Sequence, residues 1–533
     1  MGRLSEVPMT TKTYRWLSAA LPLSLLAVGL AGGAAAQERK VRRPVVAGAF
    51  YPENPAELAK AVDGYLETAR APQLPDPLLA LIAPHAGYMY SGAVAAHGYA
   101  LLKGMKPERV VVISPSHVDR FGFAAIYDGD AYATPLGEIP VDRSFAEKLG
   151  RVAPEVKLSS RGHEGSGARG EHALEVQLPF LQRVLGSFRL VPVVMGDQSY
   201  EASRALGVAL AIATGESQTL IVASSDLSHY HSYEEAVRLD KALLRAVEGY
   251  DYLSLSRNLS RQAWEACGGG PIIAAMIAAE RLGATRARLL KYANSGDVTG
   301  DHSRVVGYAA VALYKPSGKS PPAAARLSLS PDEQDELLRI ARLSVETAVT
   351  RRKLVDLPAP ASPALTREQG AFVTLKKQGR LRGCIGYSEP LRPLYLTVRD
   401  VAAYAALQDR RFPPVEPGEL AELEYEVSVL SPFRRVRDVT EIETGLHGLM
   451  IKQGPREGLL LPQVAPEQGW NRATLLEQLC LKAGLPAEAW KDAGSDIFRF
   501  TALVFPEHPK APVSVGNGHA GSEKAPPKSP AKR

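Results

Sequence analysis

The chain is poor in cysteine. Three in 533 residues, Cys267, Cys384 and Cys480, are too few for a disulfide framework, and the odd number leaves at least one thiol free, ligated or paired outside the chain. After the N-terminal segment there is no apolar run long enough to span a bilayer. There is no internal repeat. The body also lacks a charge excess. The net +6 lies at the two ends, in Arg3, Lys12 and Arg15 against Glu6, and in Lys510, Lys524, Lys528, Lys532 and Arg533 against Glu523. A near-neutral body gives no argument for a nucleic-acid partner. Otherwise the composition is globular, with 45% apolar and 23% charged residues, and the length predicts two or three domains.

The N-terminus reads as an export signal, residues 1–36. Lys12 and Arg15 precede an apolar stretch from Trp16 to Leu30, and Ala34-x-Ala36 ahead of Gln37 forms a small-residue cleavage site. No cysteine follows for lipid attachment, and no twin arginine precedes. A periplasmic or secreted protein is expected, cleaved after Ala36 and without a membrane span thereafter. The alternative is an uncleaved segment anchoring the chain to the membrane.

Residues 41–315 alternate strand and helix patterns. Strand-length apolar runs fall at Leu78–Ile82, Val110–Ile113, Leu190–Val194, Leu220–Ala223 and Val306–Leu313. Helical stretches such as Ala56–Leu66, Gly92–Leu102 and Tyr233–Val247 lie between several of them. This predicts an α/β fold, a central sheet covered by helices on both faces. Residues 316–329, rich in Pro, Ser and Ala, read as a linker. A second unit spans 330–508. It opens on Ser330-Pro331-Asp332-Glu333, a good helix start, and its irregular mixture of strands and helices predicts α+β. Strands are expected at Ala371–Lys376 and Glu424–Leu430, with one closing strand at Phe498–Phe505. The tail 509–533 has the composition of a disordered basic segment.

Ligands of open α/β sheets sit beyond the carboxyl ends of the strands. Three histidines follow apolar runs there: His85 in A-P-H-A-G-Y, His117 in S-P-S-H, and His229 in S-S-D-L-S-H with Asp226. Cys267, in A-C-G-G-G-P, precedes a helix, and a helix start favours the thiolate. Two imidazoles and a thiolate, with one position left open, are a donor set for a catalytic transition metal. Asp226 would then fix a ligand's tautomer and His229 would move a proton. The spacing alone is unspecific, since a histidine after a strand is more often a loop hydrogen-bonder. Glu171 and Glu175, four apart, could face the site together with His172 or cap a helix. His302 could line the pocket. His163 lies in a Gly-rich loop read as a candidate lid.

These motifs, with V-A-G-x-F-Y at 46–51 and E-H-A-L-E-V-Q-L-P-F at 171–180, resemble the Memo (mediator of cell motility) family across about residues 41–315. The resemblance implies a fold like the class III extradiol dioxygenases of the LigB type, whose metal is held by two His and a carboxylate. In the Memo family Cys replaces the carboxylate. The implied metal ligands here are His85, His117 and Cys267, with Asp226 and His229 close by as catalytic residues. Eukaryotic members carry a His where this chain has Val46.

The second unit resembles the AMMECR-type domain, on L-R-G-C-I-G at 381–386, D-R-R-F-P-P-V at 409–415, L-P-Q-V at 461–464 and E-Q-G-W at 467–470. Such domains accompany Memo-like proteins and a radical-SAM protein in the AmmeMemoRadiSam system, so a functional link to a radical-SAM partner is implied. Gly383 and Gly386 around Cys384 would allow a tight turn, and Arg382 would hold an anion or carboxylate. The other reading is a structural strand-turn with a buried Cys. Cys480, in an apolar helix, is expected in the core.

Three functions compete. The first is a redox enzyme using iron or copper on O2 or a small molecule. The second is a binding module for a peptide or protein. The third is a zinc hydrolase, because His, His and Cys also suit zinc.

Overall fold

The structure is a computed structural model. It describes residues 39–507 apart from 71, 73, 75–76, 165–169, 216, 317–326 and 389. The export segment, the basic tail and most of the proposed linker therefore lie outside the described residues. The described residues from Lys40 onward form one compact unit. Among the described residues no helix is long and apolar enough to cross a membrane.

The first domain is built on a nine-stranded sheet. Its centre is four parallel strands in the order Leu78–Ala83, Thr219–Ser224, Arg109–Pro115, Arg189–Met195. Val305–Tyr314 runs antiparallel beside Leu78–Ala83. Successive residues divide between the faces, as a period of two requires. Leu81, Val110 and Val112 join the core under the helices Pro55–Thr68 and Tyr88–Tyr99. Ile82, Val111 and Ile113 join the core under Tyr200–Thr214, Tyr233–Glu248 and Gly269–Arg281. Each fully buried Val or Ile contributes about 1.5–3 kcal/mol, so this two-sided burial fixes register and strand order.

That order positions the site. Thr219–Ser224 lies between two strands that precede it in the chain. The loops leaving Leu78–Ala83 and Arg109–Pro115 therefore flank the loop that begins at Ser225. All three emerge at the carboxyl edge of the sheet.

The second domain has two four-stranded antiparallel sheets. One runs Arg380–Tyr387, Ala371–Lys377, Leu423–Leu430, Ala502–Pro506 under the helices Pro331–Arg351 and Leu394–Leu407. Ser330 and Glu333 close a capping box on the first of these helices. The other sheet runs Arg434–Arg435, Asp496–Phe500, Gly448–Gln453, Arg456–Leu460 and packs on Arg472–Lys482.

Two sequence expectations fail in this domain. Phe498–Phe505 is two strands in different sheets, not one. The chain turns the corner at Thr501, where Ser431 Oγ accepts its N–H at 2.9 Å and its carbonyl accepts the Ser431 N–H at 2.9 Å. L-R-G-C-I-G is not a turn either; it lies inside the strand Arg380–Tyr387. Its glycines serve close packing. A Cβ on Gly383 would lie 2.2 Å from the Ala405 carbonyl oxygen of the covering helix, and one on Gly386 would meet the ring of its cross-strand partner Phe372 at 2.1 Å.

Candidate metal centre

His85 follows Leu78–Ala83 through Pro84 and is buried. Its Nδ1 lies 2.9 Å from Ser224 Oγ. That hydroxyl donates its only proton to the Ala173 carbonyl at 2.6 Å and accepts a second N–H from Gln177 at 2.7 Å. It must therefore accept from His85 Nδ1–H. The tautomer follows: the Nε2 lone pair is free, and it faces Cys267 Sγ at 3.1 Å.

His117 reaches the same state by another route. Its Nδ1 lies 3.1 Å from Glu171 Oε1. Glu171 also accepts the backbone N–H of His117 at 2.5 Å, and those of His172 and Ala173 at 2.9 Å each. Burial would raise the Glu171 carboxyl, but the His117 bond and charge and these N–H groups outweigh it and hold it at about 2. An ionised carboxylate can only accept, so His117 carries a proton on Nδ1, and its neutral imidazole keeps the lone pair on Nε2. His172 stacks on His117, with ring centroids 4.8 Å apart and planes 20° from parallel. The His117 side chain is 30% exposed, which makes it the open side of the cluster.

Ligand atoms of His85, His117 and Cys267 all lie within 4.8 Å of one another. Metal–nitrogen and metal–sulfur bonds of about 2.0–2.3 Å put tetrahedral donors roughly 3.3–3.8 Å apart. Two oriented imidazole nitrogens and one sulfur thus fit a transition-metal cation. His117, Glu171 and His172 form a second such group, but Glu171 already accepts four hydrogen bonds.

The charge state of the ligands follows from burial. His85 is pushed well below an ordinary imidazole, first by burial and then by His117. Burial also lowers His117, but the bond and charge of Glu171 reverse that and raise it. His172 falls to about 4, by burial and then by His85. The helix start was expected to favour the Cys267 thiolate. Instead burial, then the Asp226 carboxylate, push the thiol up, and these outweigh the N–H of Asp226, 3.3 Å from Sγ, and that of Gly268. A bound cation reverses such a balance by stabilising the thiolate directly.

Asp226 is beside the cluster but does not set a tautomer. It accepts the His85 backbone N–H at 2.8 Å, and burial raises its pKa. His229, half-buried, is close enough for its charge to favour the Asp226 carboxylate. Its strand, His229–His231, bulges at Tyr230, whose φ is +63°. Glu265 ties this strand to the Cys267 loop by accepting the His229 N–H at 3.3 Å and pairing with His231 Nε2 at 2.9 Å.

Other expected site residues lie elsewhere. Glu175 turns away and binds Arg42, the N–H groups of Val45 and Val46, and the Tyr51 hydroxyl. It clasps the start of the domain. His302 is exposed and packs on Tyr233, with centroids 4.4 Å apart. His163 is no lid residue. It is fully buried, with Tyr132 Oη on Nδ1 and the Ala125 carbonyl 3.0 Å from Nε2. Ser224, Gln177 and Glu265 were missed. Each lies within or beside a recognisable motif, but nothing in their spacing marks them as supports.

In the second domain Arg382 is occupied internally, by Glu419 at 2.8 and 3.0 Å and by the Pro413 and Pro414 carbonyls. Cys384 donates its backbone N–H to Asp409 at 2.9 Å and receives the Thr374 hydroxyl on sulfur at 3.3 Å. Cys480 is buried in the core.

A family model for Memo-like proteins matches residues 42–312. The chain belongs to the Memo family. A MEMO1 family protein of Methanopyrus kandleri is 38% identical over 285 residues, covering 51% of this chain and 99% of its own. One from Aeropyrum pernix is 42% identical over 288 residues, covering 51% and 99%. Both match only the Memo half. The AMMECR1 family model matches residues 338–505, so the protein is a Memo–AMMECR1 fusion. An uncharacterised protein from Pyrococcus horikoshii, of known structure, is 38% identical, covering 33% of this chain and 91% of its own, with a TM-score of 0.32.

Proposed function

We propose that the Memo domain binds iron or copper through His85, His117 and Cys267 and carries out redox chemistry on O2 or a small substrate. The observation that carries this is the cluster of His85, His117 and Cys267 ligand atoms within 4.8 Å of one another, with each imidazole held through Nδ1 by a different partner. A redox-active metal supplies electron exchange at the position three protein donors leave open. The chain's own residues do the rest. Ser224 and Glu171 orient the imidazoles. His172 covers one face of His117. Asp226 holds the backbone N–H of His85 beside the cluster, and His229 acts as the acid or base at the opening.

Metal analysis with an oxygen electrode tests the proposal on the full chain. Iron or copper near one per chain, with O2 uptake lost in Cys267→Ala, is expected. Zinc with ester or amide hydrolysis would replace the redox reading with the hydrolytic one. A second reading, a peptide ligand at the same opening, is favoured by Met89 and Tyr230. They are 66% and 62% exposed on the elements that follow His85 and begin with His229.

We also propose export, supported by Lys12, Arg15, the apolar stretch and Ala34-x-Ala36. Export would separate this copy from a radical-SAM partner, whose chemistry needs a reducing compartment. Sequencing the mature N-terminus tests this, with Gln37 expected first and an intact leader contradicting it.

A further inference from the structure

The helix that begins beside Cys267, Gly269–Arg281, spans about 20 Å at 1.5 Å per residue. Its first turn is at the metal centre. Its last residue, Arg281, donates to Asp496 of the AMMECR1 domain at 3.1 Å. A neighbouring helix, Tyr200–Thr214, makes the same connection. Just before it, Gln198 grips the Cys267 turn from both sides: its amide donates to the Cys267 carbonyl and accepts the Gly270 N–H, both at 2.9 Å. Within it, Arg204 forks onto the two Asp496 oxygens and reaches the Ala493 carbonyl at 3.1 Å. The two helices fit closely, since a Cβ on Gly207 would lie 2.7 Å from the Ala274 carbonyl oxygen.

Asp496 is only 3% exposed and also takes Arg435 of its own domain at 3.2 Å. A buried carboxylate shared by three guanidiniums has little freedom to shift without leaving a buried charge unpaired. Both supports of the thiol thus end on one anion that the Memo domain does not contain.

We infer that Asp496 is a positioning residue for the metal centre: through Arg204 and Arg281 it clamps the helix pair that holds Cys267, so the AMMECR1 domain sets the place of the sulfur ligand. This rests on the reading of Cys267 as a ligand. It gives the fusion a function at the site, although among the described residues no AMMECR1 side chain is hydrogen-bonded to the cluster.

The test uses the full chain and two readouts. The first is the alkylation rate of Cys267 in metal-free protein, followed by peptide mass. The second is cobalt(II) binding, read from the thiolate-to-cobalt absorption band. Asp496→Asn is expected to speed alkylation severalfold, by freeing the turn to open, and to weaken cobalt binding about tenfold or more, as loss of ligand support does. Asp496→Glu is expected to restore part of both. Arg281→Met, which removes one of the three ion pairs, covers the case in which Asp496→Asn does not fold. Glu457→Gln breaks a different contact between the domains, the ion pair with Arg257 of the helix Tyr252–Ser260, and is expected to change neither readout. Wild-type alkylation and cobalt binding in the Asp496 and Arg281 variants overturn the clamp. A Cys267→Ala protein that binds cobalt as tightly as wild type, with an unchanged band, overturns the metal reading itself.

Discussion

The imidazoles at this site are aimed by neighbours, His117 by a carboxylate and His85 by an uncharged hydroxyl. Ser224 is the clearest case, because its single hydroxyl proton is committed to Ala173 and this fixes the His85 tautomer. Ser224→Ala should lower metal affinity about 10–100-fold, measured by competition against a chelator. It should also cost about 1–3 kcal/mol in thermal stability by orphaning the Gln177 N–H and the Ala173 carbonyl. A second prediction concerns pH. Burial holds His163 at about 3, against an ordinary 6.5. Between those values the unfolded chain binds a proton that the folded chain refuses. Stability is therefore full above about pH 6.5 and falls as pH drops towards 3, by roughly 4–5 kcal/mol from this residue. Urea titrations across that range should show the slope, and His163→Gln should flatten it. His85, His117 and Cys267 were legible because each stands at a strand or helix end with a metal-binding side chain. Ser224 and Gln177 were not, because a serine that fixes a tautomer looks like any serine after a strand. Cys267 was legible as a member of the cluster but not in its protonation, which depends on burial and on Asp226.

At the scale of elements, hydrophobic period carried the reading. Five of the six long strands of the Memo sheet fall where the apolar runs lie, because strands buried on both faces leave no polar alternation to mislead; the sixth, Arg286–Asn294, is mostly half-exposed and carries no such run. The misreadings occur where an apolar run does two jobs. Phe498–Phe505 stays apolar across a corner, since both halves are buried in separate sheets. L-R-G-C-I-G reads as a turn because glycine is the usual turn residue, yet here glycine makes room for a helix and a ring. The two glycines differ in a testable way. Gly383→Ala presses on a helix carbonyl, which cannot move alone, and should cost about 1–3 kcal/mol. Gly386→Ala presses on the Phe372 side chain, which can rotate, and should cost less. Thermal denaturation of both variants checks the order.

At the scale of the molecule, the two domains share a core. Leu430, Phe433, Met450, Phe498 and Phe500 of the AMMECR1 half belong to the same apolar cluster as the Memo helices. Ion pairs border it, between Arg257 and Glu457 and around Asp496. The sequence shows two families and a linker, and it gives no sign that the halves are welded, because the residues that join them read as ordinary core of each. An interface of this kind should melt with its neighbours, so calorimetry on the full chain should show one transition covering both domains. The central claim is narrower: His85, His117 and Cys267 together hold one transition-metal ion. Elemental analysis of the purified full chain beside His85→Ala, His117→Ala and Cys267→Ala tests it most directly. About one metal per wild-type chain, lost in each folded variant, is the predicted result. A wild-type protein that takes up no metal when it is supplied, or variants that keep the wild-type content, would contradict it.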